Sequence, residues 1–361
     1  MASDGRWEGT KPDGRRIVVY RPQGEMMTAA LRDGPRQPDG STEELRYNPL
    51  SQTWVGLSPA RQGRPADKPL GPCWLCPSGP GGASEIPFSG YAVAAFENRF
   101  APLRRAAGLP AAAAPGVRAA AFGICEVISF SSDHVGSLGS MDGDHLELVV
   151  EVLCERLEAL AADPRVHHVF AFENRGVEVG ATNRHPHGQI YALPYVPATV
   201  EVEMSALGER SGCALCREQR MAGALGLEVG TWGELVATVP FAARWPYELR
   251  LAPRQHLDLL TSLPPADRAS LATALGQIVR AYDRVLGRAM PYVMALHQGP
   301  SVSPMGGFHW HFEFLPRARS KDQLKFPAGA ELGAGLYLMD LDPQACSRAL
   351  RRAMASDGGS G

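Results

Sequence analysis

The chain has 361 residues, of which 45% are hydrophobic and 20% charged, with a formal net charge of −2. That is the mixture of a globular protein with one large or two ordinary domains. It lacks the basic field a nucleic-acid binder needs, so phosphate chemistry belongs in a local pocket.

Residues 1–40 are polar and rich in Gly, Pro and Arg, and read as an N-terminal extension in which Arg16–Tyr20 forms an edge strand. No run reaches the length of a membrane span, and the start carries charges and glycines where a secretory peptide has an apolar core. The expectation is a cytoplasmic protein. Four of the seven cysteines form two C-x-x-C pairs, Cys73/Cys76 and Cys213/Cys216, which in that compartment favours metal or redox roles over disulfides. After Cys73-Trp74-Leu75-Cys76 comes a Pro/Gly-rich loop, whereas a redox pair should open a helix, so zinc is the better reading. Cys125, Cys154 and Cys346 read as inert core thiols.

The alanine- and proline-rich tract over residues 104–121 reads as an exposed loop. Leu146, Val149, Val150, Leu153, Leu157 and Leu160 form the stripe of an amphipathic helix that ends before Asp163-Pro164. A strand over residues 166–172 follows, in which His167 and His168 point apart and read as packing residues. It leads into Phe172-Glu173-Asn174-Arg175-Gly176 and then His185-Pro186-His187-Gly188-Gln189. In an extended chain His185, His187 and Gln189 share one side. Neutral imidazole can ligate a metal or attack phosphorus, and Gly188 lets a phosphate approach the main chain.

The second half echoes the first. Cys213 and Cys216 repeat the knuckle, and His256 answers His134. Leu271, Leu275, Ile278, Val279, Tyr282 and Val285 repeat the helical stripe, and a strand-like run follows over residues 291–296. His309-Trp310-His311-Phe312-Glu313 stands where the H-P-H-G-Q stretch stood. Glu313 in place of glutamine repels a phosphate, so one half should be catalytic and the other structural or a source of substrate contacts.

The F-E-N-R-G and H-P-H-G-Q segments resemble the histidine-triad superfamily, and the longer match, from Arg46 to Asp340, resembles the galactose-1-phosphate uridylyltransferase family. The resemblance implies an α+β fold of two fused histidine-triad-like units, each an antiparallel sheet packed with a helix. Units at residues 41–200 and 201–350 and a flexible tail at 351–361 are expected. His187 is implied as the nucleophile, with Gln189 and Thr182 on the non-bridging phosphate oxygens. Arg61 and Arg64 are implied as phosphate ligands, which suits guanidinium forks. Asn98, Phe100, Asn174 and Gly188 would complete the nucleotide site, and Lys325, Phe326 and Glu331 the sugar-phosphate site.

Two structural zinc sites follow from the same likeness: Cys73, Cys76, His134 and His185, and Cys213, Cys216, His256 and His309. Another family-like set is Glu203, His297, His309 and His311. His309 cannot serve both, and thiolates favour the cysteine site. The sequence departs from the family pattern at Arg99, where an aspartate is usual, and at Arg184, Ala330 and Tyr337.

The implied reaction is ping-pong transfer of UMP from a UDP-hexose to a sugar 1-phosphate, galactose 1-phosphate above all, in a homodimer. A relative with a changed base or sugar, such as an ADP-glucose phosphorylase, is the alternative. A zinc-stabilised nucleotide sensor is the non-enzymatic one, against which the intact His187-Gly188-Gln189 argues.

Overall fold

The computed structural model describes residues 5–27, 43–59, 73–79, 84–105, 107, 116–208, 212–302 and 307–356. Its frame is one sheet of eleven strands in which every neighbouring pair is antiparallel. The first half supplies β1 (Arg6–Thr10), β2 (Arg16–Tyr20), β3 (Val93–Glu97), β4 (Ile124–Ser129), β5 (His168–Arg175) and β6 (His187–Leu193). The second supplies β7 (Glu228–Trp232), β8 (Leu235–Thr238), β9 (Leu249–Pro253), β10 (Tyr292–His297) and β11 (His311–Pro316). Their spatial order is β1-β2-β3-β4-β6-β5-β10-β11-β9-β8-β7.

Read outward from the middle, one side runs β5-β6-β4-β3 and the other β10-β11-β9-β8, so the internal echo of the sequence is a repeated strand order. Residues 171–175 of β5 pair with residues 296–292 of β10, and this seam merges the two units into one sheet. Among the described residues six α-helices accompany it: α1 (Gly143–Ala161), α2 (Ala198–Leu207), α3 (Ala214–Ala222), α4 (Pro265–Leu286), α5 (Gly329–Ala334) and α6 (Pro343–Ala355). None of the helices among the described residues is long and apolar enough to cross a membrane.

Both striped helices form where the periodicity places them. Asp142 caps α1 by accepting the His145 N–H at 2.8 Å, and α4 stops at Gly287, whose φ of +70° suits a residue without Cβ. Their apolar faces meet Ile128, Ile190, Met294 and Phe312 of the sheet in one buried cluster. The two helices also touch each other. A Cβ on Gly276 of α4 would lie 2.7 Å from Leu146 of α1, so the glycine sets how closely they approach. With one sheet face sealed this way, alternation leaves the other face for chemistry.

Several expectations need correction. Arg16–Tyr20 is not an edge strand: it pairs with β1 on one side and β3 on the other, with Ile17, Val18 and Val19 buried, because the first residues supply β1 as the true edge. The strand expected at 166–172 runs instead from His168 to Arg175. His167 is exposed, while His168 is buried, as alternation requires. Within the expected loop, Arg118–Ala120 forms a strand paired with residues 44–46. At the C-terminus α6 continues through Ala355, which takes residues 351–355 out of the expected tail.

Candidate active site and metal centres

Strand β6 begins at His187, and its side chains alternate between a buried face with Gly188, Ile190 and Ala192 and a partly open face with His187, Gln189 and Tyr191. The chain enters it through a loop that carries Thr182, Asn183 and His185. Asn183 Oδ1 accepts the His185 N–H at 3.0 Å, and its Nδ2 donates to Cys73 Sγ at 3.3 Å, so one side chain ties the loop to the knuckle. Sequence reasoning missed Asn183, although Asn two residues before a ligand is the mark of an Asx turn.

The four donor atoms of Cys73, Cys76, His134 and His185 lie within 4.8 Å of one another. His185 Nε2 donates to the Ser131 carbonyl at 2.6 Å, which fixes the tautomer and turns Nδ1 toward both sulfurs, 3.9 Å from Cys73 and 3.7 Å from Cys76. Burial, more than its neighbours, holds His185 down to about 4 and therefore neutral. Burial and then the adjacent Cys73 push the Cys76 thiol up to about 11, so a cation is needed to hold it as a thiolate. A neutral imidazole of fixed tautomer and the His134 ring beside two thiols make a donor set that fits a four-coordinate metal ion with no open position. Tyr91 supports the set from beneath: its hydroxyl donates to the Leu75 carbonyl and lies 2.8 Å from Ser129 Oγ. Nothing in the sequence pattern marked it.

His187 Nδ1 donates to the main-chain carbonyl of His185 at 2.7 Å. That bond places the proton on Nδ1 and leaves Nε2 with its lone pair. Burial lowers the ring below the ordinary histidine range, against the pull of the carbonyl, and keeps it neutral. Beside it Gln189 Oε1 accepts from the Tyr191 hydroxyl at 3.3 Å, which turns its amide nitrogen outward as a donor. Phe172 lies across from Gln189 in the register, and Asn174 follows two residues on, on the same face toward the His187 end.

Gly188 packs on the sealed face of the sheet. Its missing side chain faces the core, where a Cβ would lie 2.8 Å from Phe130 Cζ and 3.2 Å from the Phe172 carbonyl oxygen. Strand alternation puts residue 188 opposite His187. Phe312, its counterpart in the repeat, is buried in the same apolar core and blocks nothing.

In the register of β4 with β6, Ser129, Val127 and Cys125 share the face of His187, Gln189 and Tyr191. Toward Cys125 this face opens into a cleft of about 500 Å³, lined by Asn98, Arg99, Arg104 and Arg105 and, from the β1–β2 turn, Asp13 and Arg15. The Asn98 carbonyl side-chain oxygen accepts the Phe100 N–H at 2.9 Å, and the Phe100 ring lies 5.7 Å from Trp74. Arg61 and Arg64 lie outside the described residues. Lys325 is buried, donates to the carbonyls of Arg244 and Leu338, and sits 5.6 Å over Trp245. Glu331 accepts the Ala328 N–H at 3.1 Å at the start of α5, and Phe326 is exposed. These three therefore gather in the second half, away from β6 within the same chain.

The repeat reproduces the metal geometry. Cys213, Cys216, His256 and His309 have their donor atoms within 4.8 Å of one another. His309 Nε2 lies 2.9 Å from the Pro253 carbonyl, and its Nδ1 faces Cys213 at 3.6 Å and Cys216 at 3.4 Å. Here the cysteine pair does open a helix, α3, with Cys213 as its cap. His311 Nδ1 lies 3.0 Å from the His309 carbonyl, the counterpart of the His187 bond. His309 thus stands with the cysteines, and Glu203, His297 and His311 form a separate cluster of three. Glu313 is clamped by Arg244 at 2.7 Å and Arg250 at 3.1 Å; burial raises its carboxyl, but His297 and these two cations more than offset that and hold it ionised.

A repeated four-strand unit, each with a Cys/His cluster whose histidine carbonyl orients a second imidazole, defines a fused histidine-triad-like protein with one half fitted for nucleophilic chemistry. The N-terminal domain model of galactose-1-phosphate uridyl transferase matches residues 36–197, and the C-terminal domain model residues 219–353, so the β1–β2 hairpin precedes the match. The galactose-1-phosphate uridylyltransferase of Thermotoga maritima is 34% identical over 85% of this chain and 98% of its own length. That of Streptomyces lividans is 33% identical over 94% and 95%. A solved structure described as a uridylyltransferase superposes with a TM-score of 0.77 at 29% identity, covering 87% of this chain and 99% of that one. The chain belongs to the galactose-1-phosphate uridyl transferase family.

Proposed function

We propose that the protein moves UMP from a UDP-hexose to a sugar 1-phosphate, galactose 1-phosphate above all, through a uridylyl-histidine intermediate. The observation that carries this reading is the His187 Nδ1 bond to the His185 carbonyl, which leaves Nε2 as an unprotonated nucleophile on the partly open face of β6. Nε2 attacks the α-phosphorus; an N–P bond forms, the bond to the bridging oxygen breaks, and hexose 1-phosphate departs with that electron pair. A phosphate oxygen of the second sugar then attacks the same phosphorus and expels Nε2. Two in-line displacements give net retention and ping-pong kinetics.

The Gln189 amide and the Thr182 hydroxyl donate to the non-bridging oxygens, and Arg61 and Arg64 hold the phosphates. Asn98, Phe100 and Asn174 line the nucleotide side. We assign zinc to both Cys₂His₂ sets, where a bound ion fixes loop geometry and supplies no open coordination site. The unit boundaries at residues 41–200 and 201–350 and a cytoplasmic location belong to the same reading; thiols needed as metal ligands call for a reducing compartment. Lys325, Phe326 and Glu331 are assigned to the hexose phosphate. Their place away from β6, beside the exposed Phe326, Leu332, Leu336 and Leu338, supports a homodimer in which one protomer presents this segment to its partner.

The test is donor and acceptor profiling. UDP-glucose with galactose 1-phosphate should give UDP-galactose, and the rate should exceed that with ADP-glucose and inorganic phosphate. The reverse preference would transfer the protein to the adenylyl-transferring alternative.

A further inference from the structure

The hairpin of β1 and β2 lies outside both matched domains, yet its turn reaches the cleft beside Asn98. The turn reads Lys11-Pro12-Asp13-Gly14-Arg15. Proline presets the first bend, and Gly14, at a φ of +84°, donates its N–H to the Lys11 carbonyl at 2.9 Å. Asp13 braces Arg15 twice, accepting its main-chain N–H at 3.2 Å and its Nε at 2.7 Å. The guanidinium is thereby held toward the end of β3.

Arg15 Nη1 donates to the Glu97 carbonyl at 3.0 Å and to the Glu85 carboxylate at 3.1 Å. Glu97 ends β3, and the peptide that joins it to Asn98 is tied on its other side too, because the Asn98 N–H donates to the Cys125 carbonyl at 2.7 Å. With both polar groups of a planar unit engaged, its orientation is fixed, and the Asn98 side chain leaves the backbone in a set direction. Glu85 is 2% exposed and also holds Lys11 and, at 2.5 Å, Arg99, while its N–H donates to the Trp74 carbonyl at 3.0 Å. One buried carboxylate therefore links the hairpin turn, the Asn98 turn and the cysteine knuckle.

We propose that Arg15 is a positioning residue for the nucleotide donor: from outside the two family domains it fixes the Glu97–Asn98 peptide and with it the Asn98 side chain at the cleft. The inference rests on the nucleotidyl-transfer reading, which puts Asn98 on the nucleotide. Arg15 acts through Asn98 and not on the reacting phosphorus, so its loss should weaken donor capture and spare the chemical step. Without it Lys11 and Arg99 still compensate Glu85, and Ile17, Val18 and Val19 still bury the hairpin, so Arg15→Ala should fold.

Adduct formation on the intact protein is timed over a range of UDP-glucose concentrations for the parent, Arg15→Ala, Arg15→Lys and Arg6→Ala, with denaturant unfolding of each. Arg6 sits at the open end of the same hairpin, opposite Tyr20 and bound to Glu155 at 3.1 Å. Arg15→Ala should raise the half-saturating concentration about tenfold, the scale of one lost charge-assisted hydrogen bond, and keep the saturated rate within about twofold. Arg15→Lys, which keeps a cation, should show a smaller rise, and it carries the test if the alanine variant does not fold. Arg6→Ala should leave both quantities at parent values. Parent-like half-saturation in the folded Arg15 variants, a loss confined to the saturated rate, or an equal rise in Arg6→Ala overturns the proposal. No adduct on the parent overturns the underlying reading instead.

Discussion

The ring of His187 donates its Nδ1 proton to the backbone carbonyl of His185, 2.7 Å away, while the His185 ring itself turns Nδ1 toward Cys73 and Cys76. One residue thus faces the cysteine pair with its side chain and orients the His187 ring with its main chain. Proline between them limits the backbone freedom that could break this relation.

This coupling predicts different fates for the two metal sites. Cys73→Ala should remove one metal ion per chain and cut uridylyl transfer by about 10–100-fold, the usual cost of disturbing a supporting shell. Cys213→Ala should also remove one metal ion, lower stability, and leave adduct formation on His187 largely intact. Metal analysis paired with adduct mass spectrometry checks both; equal loss of activity in the two variants would contradict the division of labour.

Gly188→Ala tests the packing role of that glycine. The new methyl would meet Phe130 at 2.8 Å, and overpacking of this kind costs about 1–3 kcal/mol. Denaturant unfolding should show that loss, with partial recovery in a double variant that shortens Phe130 to leucine. A weakened affinity for UDP-glucose at unchanged stability would restore the phosphate role.

Much of the fold was legible because its periodicities are strong. The stripe from Leu146 to Leu160 and its echo from Leu271 to Val285 fixed two helices, and the matching H-x-H stretches fixed their place in a repeat. The two Cys/His clusters were legible through the C-x-x-C spacing and, for their histidines, through the family resemblance. What escaped detection depends on contacts between distant segments. The merging of two sheets at β5 and β10, the β1–β2 hairpin on the cleft, and the Tyr91 prop under the knuckle leave no local pattern. The close packing of Gly188 on Phe130 was not legible, because only strand direction says which face a glycine's missing side chain would take.

Glu173 gives a pH prediction. Burial, against a hydrogen bond from Tyr292 at 2.9 Å, raises its carboxyl from 4.5 to about 7. Between these values the unfolded chain is ionised and binds fewer protons than the folded one, so stability should fall as pH rises from 4.5 toward 7 and then level off. Glu173→Gln should flatten that limb and gain, relative to the parent, about 3 kcal/mol at pH 8. Unfolding curves at several pH values check it; an identical slope in the variant would contradict a protonated Glu173.

The central claim is that His187 carries the nucleotide. Intact-protein mass spectrometry after brief incubation with UDP-glucose should show one added uridylyl group on the parent, its loss on addition of galactose 1-phosphate, and no addition to His187→Gly. An adduct of the same mass on His187→Gly, or none on the metal-loaded parent, would contradict the mechanism.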